Sequence, residues 1–128
     1  MEPEIIVTRT ARVWLGEDGI VRGAILPDLE LNEADAQENV AAFARAGKGQ
    51  KKPVLVDISH IRKGLTREAR AYYISEATAK VVSAVALLVG SPISKIIGNF
   101  FLGLNKPQMP LQLFTDESEA VKWLKGFI

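Results

Sequence analysis

The chain has 128 residues, which fits one domain and leaves no room for two. Its 48% hydrophobic content can fill a core without a disulfide or metal staple, and argues against disorder. With 16 Lys and Arg against 15 Asp and Glu, the net charge of +1 lacks the basic excess of a phosphate-neutralising nucleic-acid binder.

The absence of cysteine excludes a disulfide scaffold, a thiol nucleophile and a thiolate metal site. Met1-Glu2-Pro3-Glu4 has neither the basic start nor the apolar run of a signal peptide. The longest apolar run, Ala84 to Val89, is far short of the ~20 residues of a membrane span. A cytoplasmic location is therefore expected.

Ile5 to Leu15 alternates apolar and polar residues and reads as one half-buried strand. Asp18-Gly19 marks a hairpin turn, and Ile20 to Leu26 is the returning strand, stopped by Pro27. Asn32 is placed to cap a helix running to Ala46, with Glu33 and Asp35 in its first turn and Gly47 as its stop. Val54-Leu55-Val56 is a short apolar run of the kind buried on both faces of a sheet. Thr66 caps a second predicted helix, extending to about Lys80, and Ala84 to Val89 is the next buried strand. Ser91-Pro92 opens a third helix with an apolar stripe of Ile93, Ile96, Ile97, Phe100, Phe101 and Leu104. Leu111 to Phe114 is the last strand, and Asp116 with Glu119 starts a final helix. The order ββαβαβαβα predicts an α/β fold: a mixed, mostly parallel sheet with an N-terminal β-hairpin.

Charge is unevenly placed. Every charged residue between Arg22 and Arg45 is acidic, namely Asp28, Glu30, Glu33, Asp35 and Glu38. Between His60 and Arg70, Arg62, Lys63, Arg67 and Arg70 face Glu68 alone. That basic segment leaves the carboxyl end of a buried strand and enters a helix N-terminus, a place suited to anions. Asp57, Ser59 and the lone His60 lie too close in sequence for a typical triad, and no G-x-S-x-G elbow supports them. P-loop, dinucleotide and zinc-protease motifs are absent, so no cofactor and no metal are expected.

The element order and Val54-Leu55-Val56-Asp57-Ile58-Ser59-His60-Ile61 resemble the STAS or SpoIIAA-like superfamily, whose members carry a D-[LI]-S-x-[VI] strand end before a turn and helix. Asn99 to Pro107, Leu113-Phe114-Thr115-Asp116 and Ala120 to Leu124 are similar to small bacterial single-domain STAS-like proteins. In the superfamily's anti-sigma-factor antagonists, an Asp-Ser-Ser-Gly motif opens the second helix, and a partner kinase phosphorylates its second serine. The matching positions here are Leu65, Thr66, Arg67 and Glu68, so the acceptor position falls on Arg67 and only Thr66 keeps a hydroxyl.

The resemblance implies a non-enzymatic regulatory module that binds another protein. The alternative is a carrier of a small amphipathic, lipid-like ligand at a membrane surface, with the third helix over an apolar pocket. The residues expected to meet either occupant are Ser59, Arg62, Lys63, Thr66, Arg67, Arg70, Ile97, Phe100, Phe101 and Lys106. A homodimer through the first strands or the third helix is compatible with both.

Overall fold

The structure is a computed structural model and describes residues 4–103 and 107–128. Six strands form one sheet in sequential order: β1 (Ile6–Val7), β2 (Ala11–Leu15), β3 (Val21–Ile25), β4 (Lys52–Asp57), β5 (Val82–Leu88) and β6 (Leu111–Phe114). The first three are antiparallel neighbours; β3 to β6 are parallel. The expected mixed, mostly parallel α/β sheet is present.

The parallel strands are joined through α1 (Glu33–Ala46), the pair α2 (Arg67–Tyr73) and α3 (Glu76–Ala79), and α4 (Pro92–Gly103). Each connection advances one strand in the same direction. Right-handed crossovers therefore lay all of these helices on one face. Val13, Val21, Val54, Val56, Val85 and Leu87 point to that face and pack with Ala36, Val40, Phe43, Ala69, Ile97 and Phe101. The opposite face of β4 and β5 is covered by α5 (Glu117–Leu124), whose Ala120 and Leu124 meet Leu55, Ala84, Ala86 and Leu88. Being covered on both sides is what makes β4 and β5 continuous apolar runs.

Two predicted elements are each split. The strand expected over Ile5 to Leu15 is a tight antiparallel pair, β1 and β2, with Ile6 opposite Val13. Thr8 makes the reversal: its N–H donates to the Ala11 carbonyl at 3.0 Å, and its Oγ1 accepts from the Ala11 N–H at 2.9 Å. The helix expected from Thr66 to about Lys80 breaks at Ser75. Ser75 Oγ and Thr78 Oγ1 both donate to the Tyr72 carbonyl, at 2.6 and 2.7 Å, and Ser75 becomes the N-cap of α3. Gly47 ends α1 in a right-handed conformation, and the left-handed positions follow at Lys48 and Gly49. Among the described residues, no helix is long and apolar enough to cross a membrane.

A buried polar cluster ties the β1–β2 turn to α1 and α2. Asn39, with no exposed surface, accepts from Thr8 Oγ1 at 2.6 Å and donates to Thr10 Oγ1 at 2.9 Å and Tyr73 Oη at 3.0 Å. Beside it, Arg9 makes a two-pronged ion pair with buried Asp35, at 2.7 and 2.6 Å. The hydrogen bond from Arg9, aided by the Asn32 N–H and the Arg9 charge and opposed by desolvation, holds the Asp35 carboxyl below its ordinary range. Burial drives the Tyr73 phenol above its usual range, with nearby Asp35 adding to the effect and the Asn39 hydrogen bond working against it.

Candidate functional site

The residues between β4 and α2 form a turn whose backbone is fixed from both sides. Ser59 donates from its N–H and its Oγ to Asp57 Oδ1, at 2.9 and 2.6 Å, closing a local turn. The Ser91 N–H reaches the Ser59 carbonyl at 2.8 Å, and Ser91 Oγ donates to the Ile61 carbonyl at 2.9 Å, so the turn is stitched to the start of α4. Gly90 permits this approach, since a Cβ there would stand 3.1 Å from Ser59 Cβ. On the other side, the Leu31 N–H bonds the Gly64 carbonyl and the Thr66 N–H bonds the Leu31 carbonyl.

The predicted cations fall into different roles. Arg62 makes a two-pronged pair with Asp28 at 2.7 and 2.8 Å, with both side chains well exposed; such a pair contributes about 0–1 kcal/mol. Thr66 is the N-cap of α2 and accepts from the Ala69 N–H at 3.1 Å. Lys63 and Arg67 are exposed and, among the described residues, enter no ion pair. Arg70 donates from Nη1 to the Leu65 carbonyl at 3.0 Å, and its Nε is buried without a partner. Its guanidinium lies 4.7 Å from the centre of the Phe100 ring.

That stack joins the basic turn to α4. Phe100 is 47% exposed and Ile96, one helical turn before it, 58% exposed, so exposed apolar side chains stand beside the Arg70 guanidinium. Ile97 and Phe101 lie elsewhere, although they belong to the same predicted stripe. Both are buried against the sheet, where with Phe43, Leu65 and Tyr73 they wall an apolar void of about 30 Å³. Lys106 lies outside the described residues. The turn, with Arg70, and the outer side of α4 are thus brought together, whereas Ile97 and Phe101 point inward and Ser59 is engaged in its own turn.

Ile96 was not singled out as a contact residue. Its i, i+4 spacing to Phe100, one step off the buried Ile97 and Phe101, was the available signal. The crevice that α/β sheets offer where strand order reverses has no counterpart here, because the order is sequential. Among the described residues, no His, Asp and Glu cluster is grouped to hold a metal.

An uncharacterized protein of the DUF3478 family with a SpoIIAA-like fold, from Shewanella loihica PV-4, is similar in structure. It is 18% identical over 96% of this chain and 92% of that one, with a TM-score of 0.55. The chain accordingly has a SpoIIAA-like fold. A protein with unknown function from Arthrobacter sp. FB24 is 28% identical over 93% of this chain and 95% of its own, with a TM-score of 0.34, too low to carry a structural argument. No curated protein matches the chain. Residues 13–128 match the family described as a domain of unknown function, DUF7793, and the chain belongs to that family.

Proposed function

We propose that the chain is a non-enzymatic, STAS-like interaction module that captures a protein partner on the surface made by Lys63, Arg67, Arg70, Ile96 and Phe100. The observation that carries this reading is the Arg70–Phe100 stack, which sets an exposed aromatic ring against a cation on the helix that also carries Arg67. Aromatic and Arg residues are the side chains that dominate protein interfaces. Covering the exposed half of Ile96 or Phe100 under a partner would contribute about 1 kcal/mol each, roughly half the value of a full burial. Lys63 and Arg67, free of ion pairs among the described residues, would steer an acidic rim and set its register. Arg67 stands where the superfamily's phospho-switch has its acceptor, so the positive charge here is permanent.

The test is affinity capture from the native host with Arg67→Glu and Phe100→Ala variants, read against thermal stability. Both should lose partner capture while stability moves by less than about 1 kcal/mol. Capture that survives both substitutions would place the binding surface elsewhere.

A second reading, carriage of a small amphipathic ligand, rests on the apolar void behind Ile97 and Phe101. At about 30 Å³ that void is well below the ~150 Å³ cavity that accommodates benzene, so α4 would first have to lift away. This requirement is why protein capture is preferred.

A further inference from the structure

β6 ends the sheet, and its outer edge is bare among the described residues. The Val85 N–H donates to the Pro110 carbonyl at 2.9 Å and the Val89 N–H to the Phe114 carbonyl at 2.9 Å. Backbone groups alternate sides along a strand, so Pro110, Gln112 and Phe114 face β5 while the N–H and C=O groups of Leu111 and Leu113 point outward. Those outward groups meet no partner among the described residues. Natural edges are usually blunted by charge, proline or a bulge. The stretch Leu111-Gln112-Leu113-Phe114 has no charge or proline, and its register with β5 runs without a shift.

A groove of about 340 Å³ lies beside this edge, lined by Val89, Lys95, Asn99, Leu113, Phe114 and Thr115. Gly98 lets α4 sit close over β6, since a Cβ there would stand 2.8 Å from Leu113 Cδ2. The helix's exposed Lys95 and Asn99 thus overhang the edge from the face that Leu113 occupies. On the other face Phe114 packs against Trp123 of α5, with ring centres 5.7 Å apart. The charges around an added strand would therefore be Lys95 on the α4 side and the acidic start of α5, Asp116, Glu117 and Glu119, beyond the carboxyl end of β6.

We infer that the outer edge of β6 takes an extended peptide segment of a partner protein by strand addition, with an acidic side chain toward Lys95 and apolar side chains toward Phe114. The free groups of Leu111 and Leu113 provide two donors and two acceptors for such a strand, and the groove selects every second side chain. A second copy of this chain fits less well. In an antiparallel β6–β6 pair, the Lys95 end would face the segment from Pro107 to Pro110, which is neutral and bounded by two prolines. This edge is separate from the Arg70–Phe100 surface and does not depend on it.

The experiment is a backbone NMR titration with a blocked peptide of alternating valine and glutamate. Its controls are the same peptide N-methylated at alternate residues and a valine–lysine peptide. The expected result is saturable shifts and slowed exchange at the Leu111 and Leu113 amides, lost with N-methylation and about two- to fivefold weaker for the lysine peptide, as one exposed ion pair allows. Lys95→Glu should reverse that charge preference without altering the other amides of the sheet. Three outcomes overturn the inference: no shift at millimolar peptide, shifts confined to α2 and α4, or concentration-dependent protection of Leu111 and Leu113 in the peptide-free protein, which would assign the edge to a second copy.

Discussion

Replacing Asn39 by alanine tests how the N-terminal hairpin is held. The amide has no exposed surface and joins Thr8, Thr10 and Tyr73. Thr8 Oγ1 has a fallback acceptor, the Ala11 carbonyl at 3.4 Å, but the Thr10 and Tyr73 hydroxyls lose the donor they accept from. A stranded buried polar group costs about 1–3 kcal/mol. Two of them, together with the vacated volume, give a loss of about 3 kcal/mol, a large share of the ~5–15 kcal/mol that holds a domain folded. For a chain between the two size classes usually tabulated, that corresponds to a fall of about 10 °C in Tm. Urea unfolding followed by circular dichroism measures the loss. Tyr73→Phe, made alone and with Asn39→Ala, should give a double loss about 1 kcal/mol smaller than the sum. An Asn39→Ala protein within about 0.5 kcal/mol of the parent would show that the cluster does not secure the hairpin. The Tyr73 phenol adds a pH signature. Folding holds its proton more tightly than the unfolded chain does, so its contribution is constant below pH ~10 and stability falls as the unfolded phenol ionises above that.

Two further substitutions probe other parts of the packing. Gly23→Ala would set a Cβ 2.8 Å from Cε1 of the buried Phe43 ring; overpacking of this kind costs about 1–3 kcal/mol, whereas Gly126→Ala, with nothing within 4 Å, should be within about 0.5 kcal/mol of the parent. Equal urea midpoints for the two variants would contradict the close approach of α1 to β3. Asp35→Asn removes a carboxyl whose folded-state pKa is depressed, a contribution present above the ordinary carboxylate value and lost as pH falls through the folded one. The variant should be less stable than the parent at pH 7, with the difference shrinking below pH ~4. A difference that stays constant down to acid pH would mean that the Arg9–Asp35 pair contributes nothing through charge.

Much of the fold is written in local patterns. Asp18-Gly19, Asn32 and the continuous run Val54-Leu55-Val56 respectively give a turn, a helix N-cap and a doubly covered strand where expected; that Asp35 completes a capping box with Asn32 is seen only in the structure. The reversal at Thr8-Arg9-Thr10 escaped because it uses no glycine, proline or asparagine, and because the sequence places apolar residues at Ile5, Val7, Ala11 and Val13 in one phase. The turn flips that phase, burying Ile6 and exposing Ile5 and Val7. The break at Ser75 escaped because its cause is cooperative: two hydroxyls, on Ser75 and Thr78, converge on one carbonyl. At the candidate surface, the basic turn and the apolar stripe of α4 were each readable alone. Their meeting was not, since Arg70 and Phe100 are brought together by a crossover through β5. The stripe also hides a division, with Ile97 and Phe101 inward and Ile96 and Phe100 outward, set by which side of the helix meets the sheet. The polar cluster around Asn39 gave no signal beyond a lone amide among apolar helix positions.

Native mass spectrometry of the chain, purified gently from its own host, bears most directly on whether the Arg70–Phe100 surface captures a protein. The expected result is the mass of the bare chain together with a stoichiometric complex containing a second protein, with that complex lost in Arg67→Glu and Phe100→Ala. A small apolar molecule released on denaturation, with no protein complex, would contradict that account and assign the apolar void, opened by movement of α4, as the binding site.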